Sequence, residues 1–122
     1  MTLMGVINHL NTVKPNGYTQ TEKIKWLSTL DGIVKAEIID THEGGESVTF
    51  EGYTESSLMQ ELLVPPPYDD MYIKWLEAQI DYANGEYGKY NNSITLYNTA
   101  FDAYAKYYNR THKPISKNFT HF

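Results

Sequence analysis

The chain has 122 residues, a net charge of −5 and no cysteine. This length indicates one small domain, and the lack of cysteine excludes disulfides, thiolate metal sites and cysteine nucleophiles. The net negative charge argues against nonspecific binding to nucleic acid, because phosphate binding needs clustered Lys and Arg. The first ten residues lack a basic leader and a cleavage site, and the apolar runs are short. We therefore expect a soluble protein without a targeting signal or a membrane-spanning segment.

Two helices are predicted in the first forty residues. An apolar pattern at helical spacing follows Thr2, a suitable N-cap, and stops before Pro15. Thr19 and Glu22 then form a capping-box pattern, which begins a second helix that we expect to run to about Asp40. The apolar stripe of this second helix consists of Ile24, Leu27, Leu30, Val34 and Ile38.

The middle of the chain is predicted to be irregular. Gly44 and Gly45 end the helical pattern, and residues 46–61 form either a short β-ribbon or a loop, because apolar residues alternate there with polar ones. The three prolines at 65–67 cannot lie inside a helix. We expect them to form a stiff, extended segment before the next helix.

The strongest pattern lies between Ile73 and Tyr108, where apolar and aromatic residues are separated alternately by three and four positions. This is a seven-residue repeat on one helix face. Glycines and asparagines such as Gly88 interrupt its middle, so we predict two antiparallel helices with a turn between Asn84 and Asn92. A single kinked helix that keeps the phase of the repeat is the alternative. The repeat consists of Ile73, Leu76, Ile80, Ala83, Tyr87, Tyr90, Ile94, Tyr97, Phe101, Tyr104 and Tyr108.

These elements together predict a mainly α fold. We expect a small bundle of about four helices in residues 1–113, with the ribbon or loop at 46–61 as an insertion. Residues 114–122 contain Pro114 and no apolar periodicity. They are predicted to be an extended C-terminal tail.

Charge is distributed unevenly along the chain. No basic residue occurs between Lys35 and Lys74, a stretch that is rich in acidic residues, and no acidic residue follows Asp102. Solvated faces and a basic helix C-terminus would account for this pattern. The functional interpretation is head-to-tail contact between copies, or docking onto a charged partner. The predicted partner-binding residues are Glu43, Glu46, Glu51 and Glu55 in the acidic part, and Lys106, Arg110, Lys113, Lys117, Phe119 and Phe122 in the basic part.

No catalytic constellation is predicted. Asp40, His42 and Glu43 lie close together in sequence, but two glycines follow them at a helix end, which favours a capped turn over a metal site. Asp69 and Asp70 are expected in the first turn of the third helix, where carboxylates stabilise the exposed amides. Phosphate-binding loops and the common hydrolase motifs are absent from the sequence. We therefore predict a protein that is not an enzyme and that needs no cofactor or metal.

Tyrosine dominates the second half of the chain. Nine of the eleven tyrosines follow residue 67, and such rings can stack on nucleobases or sugars. However, residues at every third or fourth position face one way on a helix, and a long apolar face of this kind is normally core or subunit interface. Tyr suits either place because its ring packs while its hydroxyl reaches a polar partner.

Three stretches of the sequence, at 23–45, 62–68 and 72–114, resemble small head-tail connector proteins of tailed bacteriophages. These proteins are also called adaptor or head-completion proteins, and the resemblance is strongest to those of phages with Gram-positive hosts. It covers most of the chain and is weakest at residues 46–61. The motifs that carry it as a set are Trp26-Leu27, Asp40-Thr41-His42, Leu62 to Pro67 and Tyr108-Asn109-Arg110.

The resemblance implies a structural virion protein at the head-tail junction, present in the host cytoplasm during assembly. It implies a ring of about twelve copies under the portal protein, which extends the DNA channel and receives the stopper or tail proteins. Double-stranded DNA would pass through such a ring without specific binding, and an acidic wall would repel its phosphates. A small phage-encoded regulatory module that binds a host protein through the acidic residues is the alternative, and a carbohydrate-binding or enzymatic role would require a pocket.

Overall fold

The computed structural model describes residues 1–115. Within these residues the chain forms α1 (Leu3–Val13), α2 (Gln20–Glu37), α3 (Asp70–Ala83) and α4 (Tyr87–Thr111). Short 3₁₀ turns occur between α2 and α3, at Ile39–Thr41, Gly45–Ser47 and Glu55–Ser57. The predicted mainly helical bundle of about four helices is confirmed.

The first two helices begin at the predicted threonine caps. Thr2 Oγ1 accepts a hydrogen bond from the amide of Gly5 at 3.0 Å, and Thr19 Oγ1 accepts one from the amide of Glu22 at 3.1 Å. Each bond satisfies an amide that has no partner inside the helix. α2 ends at Glu37 rather than near Asp40, because the following residues tighten into a 3₁₀ turn.

Residues 46–61 form a loop, so the structure selects one of the two predicted alternatives. Val48 and Phe50 do not pair with a second strand. Both are half-buried against the core, and the Phe50 ring contacts that of Tyr53 with a centroid separation of 4.9 Å. The alternating pattern therefore reflects packing against the helices. The loop ends beside α1, where Glu61 and Thr2 form an isolated β-bridge.

α3 and α4 form the predicted antiparallel pair, but the turn between them is shorter than expected. It contains only residues 84–86, and Gly85 has a φ of 73°, which an L side chain rarely adopts. One residue with positive φ is enough to reverse the chain. Gly88 and Asn92, predicted to lie in the turn, are exposed positions in the first turns of α4.

The seven-residue repeat is buried most completely away from this turn. Its residues Leu76, Ile80, Tyr97, Tyr104 and Tyr108 belong to the core. Its residues next to the turn are exposed, among them Ala83 and Tyr87. The repeat is therefore core over most of its length, as predicted for a face of this kind, and solvent-exposed at the tip of the α3–α4 pair.

The chain after α4 returns to the end of α2. α4 ends at Thr111, and the next residue, His112, has extended backbone angles. The carbonyl of Lys113 then accepts a hydrogen bond from the amide of Glu43 at 2.8 Å. The amide of Ile115 donates to the carbonyl of Thr41 at 2.9 Å. Residues 113–115 are therefore bound to the helical domain, and the predicted boundary at 114 does not separate them from it. The rest of the predicted tail lies outside the described residues.

Candidate functional site

The acidic side chains predicted to bind a partner are exposed along the segment between α2 and α3. They are Glu43, Glu46, Glu51 and Glu55. Glu55 is the one whose carboxylate is fixed, since it accepts from Thr21 Oγ1 at 2.7 Å and from Gln20 Nε2 at 2.8 Å. The hydrogen bond from Thr21, which has the larger effect, and the one from Gln20 hold the pKa of Glu55 below its usual value. Glu55 is therefore an oriented carboxylate beside the start of α2.

The predicted basic residues within the described chain are exposed at the end of α4 and just beyond it. Lys106 pairs with Asp102 at 2.9 Å, one helical turn away. Lys113 Nζ lies 3.9 Å from a carboxylate oxygen of Glu43. The opposite charges that were interpreted as contacts between copies thus meet in part within one copy. Of the remaining predicted residues, Arg110 is exposed, whereas Lys117, Phe119 and Phe122 lie outside the described residues.

His42 joins the end of α2 to α4. Its ring is buried, and Nδ1 donates to the carbonyl of Ile38 at 2.6 Å while Nε2 lies 2.6 Å from Oδ1 of Asn109. The ring of Tyr108 meets that of His42 edge-on, with a centroid separation of 4.8 Å. Two sequence motifs that are more than sixty residues apart, at 40–42 and 108–110, therefore contact each other directly.

The neighbours of His42 do not form a metal site. Asp40 turns to Lys35, with which it forms an ion pair, and Glu43 is exposed beside Lys113. Across residues 1–115, no three histidine or carboxylate side chains come together in an arrangement that could hold a metal ion. Of the three residues, His42 bonds to a carbonyl at the end of α2, whereas Asp40 and Glu43 lie against Lys35 and Lys113.

A buried carboxylate that the sequence analysis did not single out lies at Asp31 in α2. Its Oδ1 accepts from the hydroxyl of Tyr72 at 2.7 Å, and its Oδ2 accepts from the amide of Leu63 at 3.1 Å and from the hydroxyl of Tyr53. Burial raises the pKa of Asp31 although these three bonds oppose the shift. Each donor is part of the framework, so the arrangement holds the 53–64 segment to α2 and α3.

A second buried carboxylate, Asp81 in α3, joins α1 to α4. Lys14 Nζ lies 2.8 Å from its Oδ1, and Ser93 Oγ donates to its Oδ2 at 2.5 Å. Burial opposes ionisation of Asp81, but the bonds from Lys14 and Ser93 outweigh it and hold the pKa below the usual value. A carboxyl whose pKa is lowered in the folded chain stabilises the fold at pH values above its pKa in the unfolded chain. This contribution is lost as the pH falls through the folded-state pKa.

We expect Asp81→Asn to destabilise the protein more at pH 7 than at pH 2.5, because the parent chain loses the Lys14 ion pair on acidification and the variant never has it. Urea denaturation followed by circular dichroism at both pH values measures the difference. Asp102→Asn, an exposed helix position paired only with Lys106, is the matched control and should change little at either pH. A stability deficit for Asp81→Asn that is the same at both pH values would contradict the assignment.

A groove of about 370 Å³ runs along the first half of α2, beside residues 53–55. Ile24 and Tyr53 contribute apolar surface to its lining, and both are largely buried. Glu22, Lys25 and Glu55 contribute its charges. A groove of this size and lining accommodates one or two side chains of a partner better than a large cofactor.

Within the part of the chain that the structure describes, no helix is both long enough and apolar enough to span a membrane. Comparisons with protein-family models, with curated proteins and with solved structures give no match for this chain.

Proposed function

We propose that the chain is a structural protein of a tailed-bacteriophage particle, assembled as a ring of about twelve copies between the portal protein and the stopper or tail proteins. In this role it extends the DNA channel, catalyses no reaction and needs no cofactor. It acts at the head-tail junction of the virion and is present in the host cytoplasm during assembly. The proposal starts from the resemblance of three sequence stretches to head-tail connector proteins.

The contact between His42 and Asn109 supports this proposal most directly. Each residue belongs to a different motif of the resemblance, and the 2.6 Å approach of Nε2 to Oδ1 brings the two motifs into direct contact. The Leu62 to Pro67 motif is held in a similar way, since Asp31 accepts from the amide of Leu63, and the hydroxyl of Tyr72 accepts from the amide of Val64. These motif residues thus hold the fold together, which is compatible with a role in assembly and requires no chemistry of them.

The surface charge is also compatible with a DNA conduit. The four predicted glutamates between α2 and α3 are exposed. Within the described residues, Glu43 is the one of the four that lies close to a predicted basic partner-binding residue, Lys113. Carboxylates repel DNA phosphates, so a wall that carries them does not retard a moving duplex. A basic wall would bind the duplex by releasing its counterions.

The proposal is tested on purified particles of the phage whose genome encodes this chain. Mass spectrometry of the particles and cryo-electron microscopy of the head-tail junction should find the chain there in about twelve copies. Native mass measurement of the purified chain, alone and with the portal protein, gives the oligomeric state independently. Particles that lack the chain would overturn the proposal.

The exposed acidic side chains also favour a second function, that of a regulatory module which binds a basic surface of a host protein. Such a module is expected to be a stable monomer and to be absent from purified particles. It should also bind its host partner with an affinity that decreases as salt increases, because the contact would be electrostatic. The same particle and mass measurements therefore separate the two functions.

A further inference from the structure

The groove beside α2 lies at the opposite end of that helix from the contact between Glu43 and Lys113. Its charged rim consists of Glu22 and Glu55, near the start of α2, together with Lys25, three residues after Glu22. The Glu43 contact lies just beyond Glu37, where α2 ends. Glu22 and Glu55 are therefore not covered by Lys113, the basic residue that residues 113–115 bring back to the domain.

The chemistry of the groove indicates an aromatic and cationic occupant. Ile24 and Tyr53 give it an apolar lining, and Glu55 presents a carboxylate that Gln20 and Thr21 hold in one orientation. A carboxylate has further lone pairs beyond the two bonds it accepts here, so it can also receive a lysine ammonium. A fixed carboxylate loses little side-chain entropy when it binds such a group.

The C-terminal sequence 116–122 has this chemistry. It contains one lysine, Lys117, and two aromatic residues, Phe119 and Phe122, spaced three residues apart. We infer that these seven residues bind in the α2 groove of a neighbouring copy, with a phenylalanine ring on the apolar lining and Lys117 at Glu55.

Distance favours a neighbouring copy over the same copy. The amide of Ile115 donates a hydrogen bond to the carbonyl of Thr41. The hydroxyl of Thr41 in turn donates to the carbonyl of Glu37 at the end of α2. From there to Thr21 the helix measures about 24 Å at 1.5 Å per residue. Lys117 lies only two residues past Ile115, a span of at most about 7 Å, so it cannot reach Glu55 of its own chain.

This inference rests on the proposed ring and adds the contact that joins its neighbours. Head-to-tail contacts of this kind use two different patches on each copy, and they close into a ring when the rotation between copies allows it. Binding a chain segment costs conformational entropy, so each single contact is weak, but in a closed ring many such contacts act together.

The chain has no cysteine, which allows a direct crosslinking test on the full-length protein. Lys25→Cys places a thiol in the groove and Thr120→Cys places one between the two phenylalanines. When these two variants are mixed and mildly oxidised, we expect at least tenfold more disulfide-linked heterodimer than from Thr120→Cys mixed with Asn98→Cys, an exposed control on α4. Equal yields from the two mixtures would overturn the inference. So would a double variant, Lys25→Cys with Thr120→Cys, that closes mainly within one chain.

Charge reversal gives a second readout on the same mixture. Glu55→Lys should lower the heterodimer yield about fivefold, and Lys117→Glu in the partner should restore it. Glu46→Lys, an exposed glutamate outside the groove, is the matched control and should leave the yield unchanged. A yield that responds equally to both reversals would contradict the specific pairing. Because ring formation by the unaltered chain is measured separately, a ring without this crosslink overturns the inference and leaves the proposed function standing.

Discussion

Replacing Asp31 with alanine is expected to remove about 3 to 5 kcal/mol from the free energy of unfolding, because the variant leaves two buried hydroxyls and one partly buried amide without an acceptor. The side chain is fully buried, and it accepts from the hydroxyls of Tyr53 and Tyr72 and from the amide of Leu63. Small domains have a total stability of about 5 to 15 kcal/mol, so the variant should be close to unfolding.

The measurement is urea denaturation of parent and variant, followed by circular dichroism. Asp102→Ala is the control, since Asp102 is an exposed helix position and should lose no more than about 0.5 kcal/mol. Should the variant at Asp31 be too unstable to purify, Tyr53→Phe removes a single bond from the same carboxylate and should cost about 1 kcal/mol. An Asp31→Ala variant as stable as the Asp102→Ala control would contradict the role assigned to this carboxylate.

The pH dependence of Asp31 should be opposite in sign to that of Asp81. Burial raises the pKa of Asp31 in the folded chain, so its stabilising contribution is complete below the unfolded pKa of about 4 and decreases as the pH rises through the folded value. The stability deficit of Asp31→Asn should therefore be larger at pH 3 than at pH 7. The deficit of Asp81→Asn should be smaller at low pH, because the pKa of Asp81 is lowered.

Much of the fold could be predicted because it follows from local patterns. Thr2 and Thr19 were recognisable as caps, since a hydroxyl before an apolar helical stripe satisfies a free amide. The seven-residue repeat indicated an antiparallel pair because an apolar face of that length needs a neighbouring helix to cover it. The length of the turn was overestimated, since the sequence does not show which of Gly85 and Gly88 adopts positive φ.

The buried polar contacts were harder to predict because their partners are far apart in sequence. Asp31 occurs four residues after Leu27 and three before Val34, so spacing alone places it on the buried face of α2. That signal indicates a satisfied buried carboxylate, but its donors, Tyr53 and Tyr72, come from other elements. The contact between residues 42 and 109 likewise depends on how α4 packs against the end of α2.

The candidate partner-binding residues were identified in part. Their exposure could be predicted from their charge, because a glutamate or lysine that stays in water avoids the free-energy cost of desolvation. Which of these residues lie close together could not be predicted from their charge, since it depends on the path of the folded chain. Glu43 and Lys113 come together in one copy, whereas Glu55 lies at the far end of α2. Charge asymmetry along a sequence therefore describes the surface, but it does not show which charges meet within a copy and which remain for a partner.

Replacing Tyr104 with alanine is the second change for which we expect a large effect. Tyr104 belongs to the seven-residue repeat and is 2% exposed, with its ring 5.7 Å from that of Tyr68 and 5.8 Å from that of Tyr108 between centroids. Removing a buried aromatic ring leaves a cavity and costs about 3 to 5 kcal/mol. Phe101, on the same face, is only partly buried and should lose less when it is replaced by alanine.

Tyr87→Ala is the matched control, because it is the same substitution in the same helix and in the same repeat. Tyr87 is 59% exposed at the tip of the α3–α4 pair and contacts the Tyr82 ring at 5.5 Å between centroids. Its replacement should cost no more than about 1 kcal/mol. Urea titrations at several protein concentrations separate the stability of the single chain from any contribution of association, since only the latter depends on concentration. Equal losses for the Tyr104 and Tyr87 variants would show that the repeat is not buried core at Tyr104.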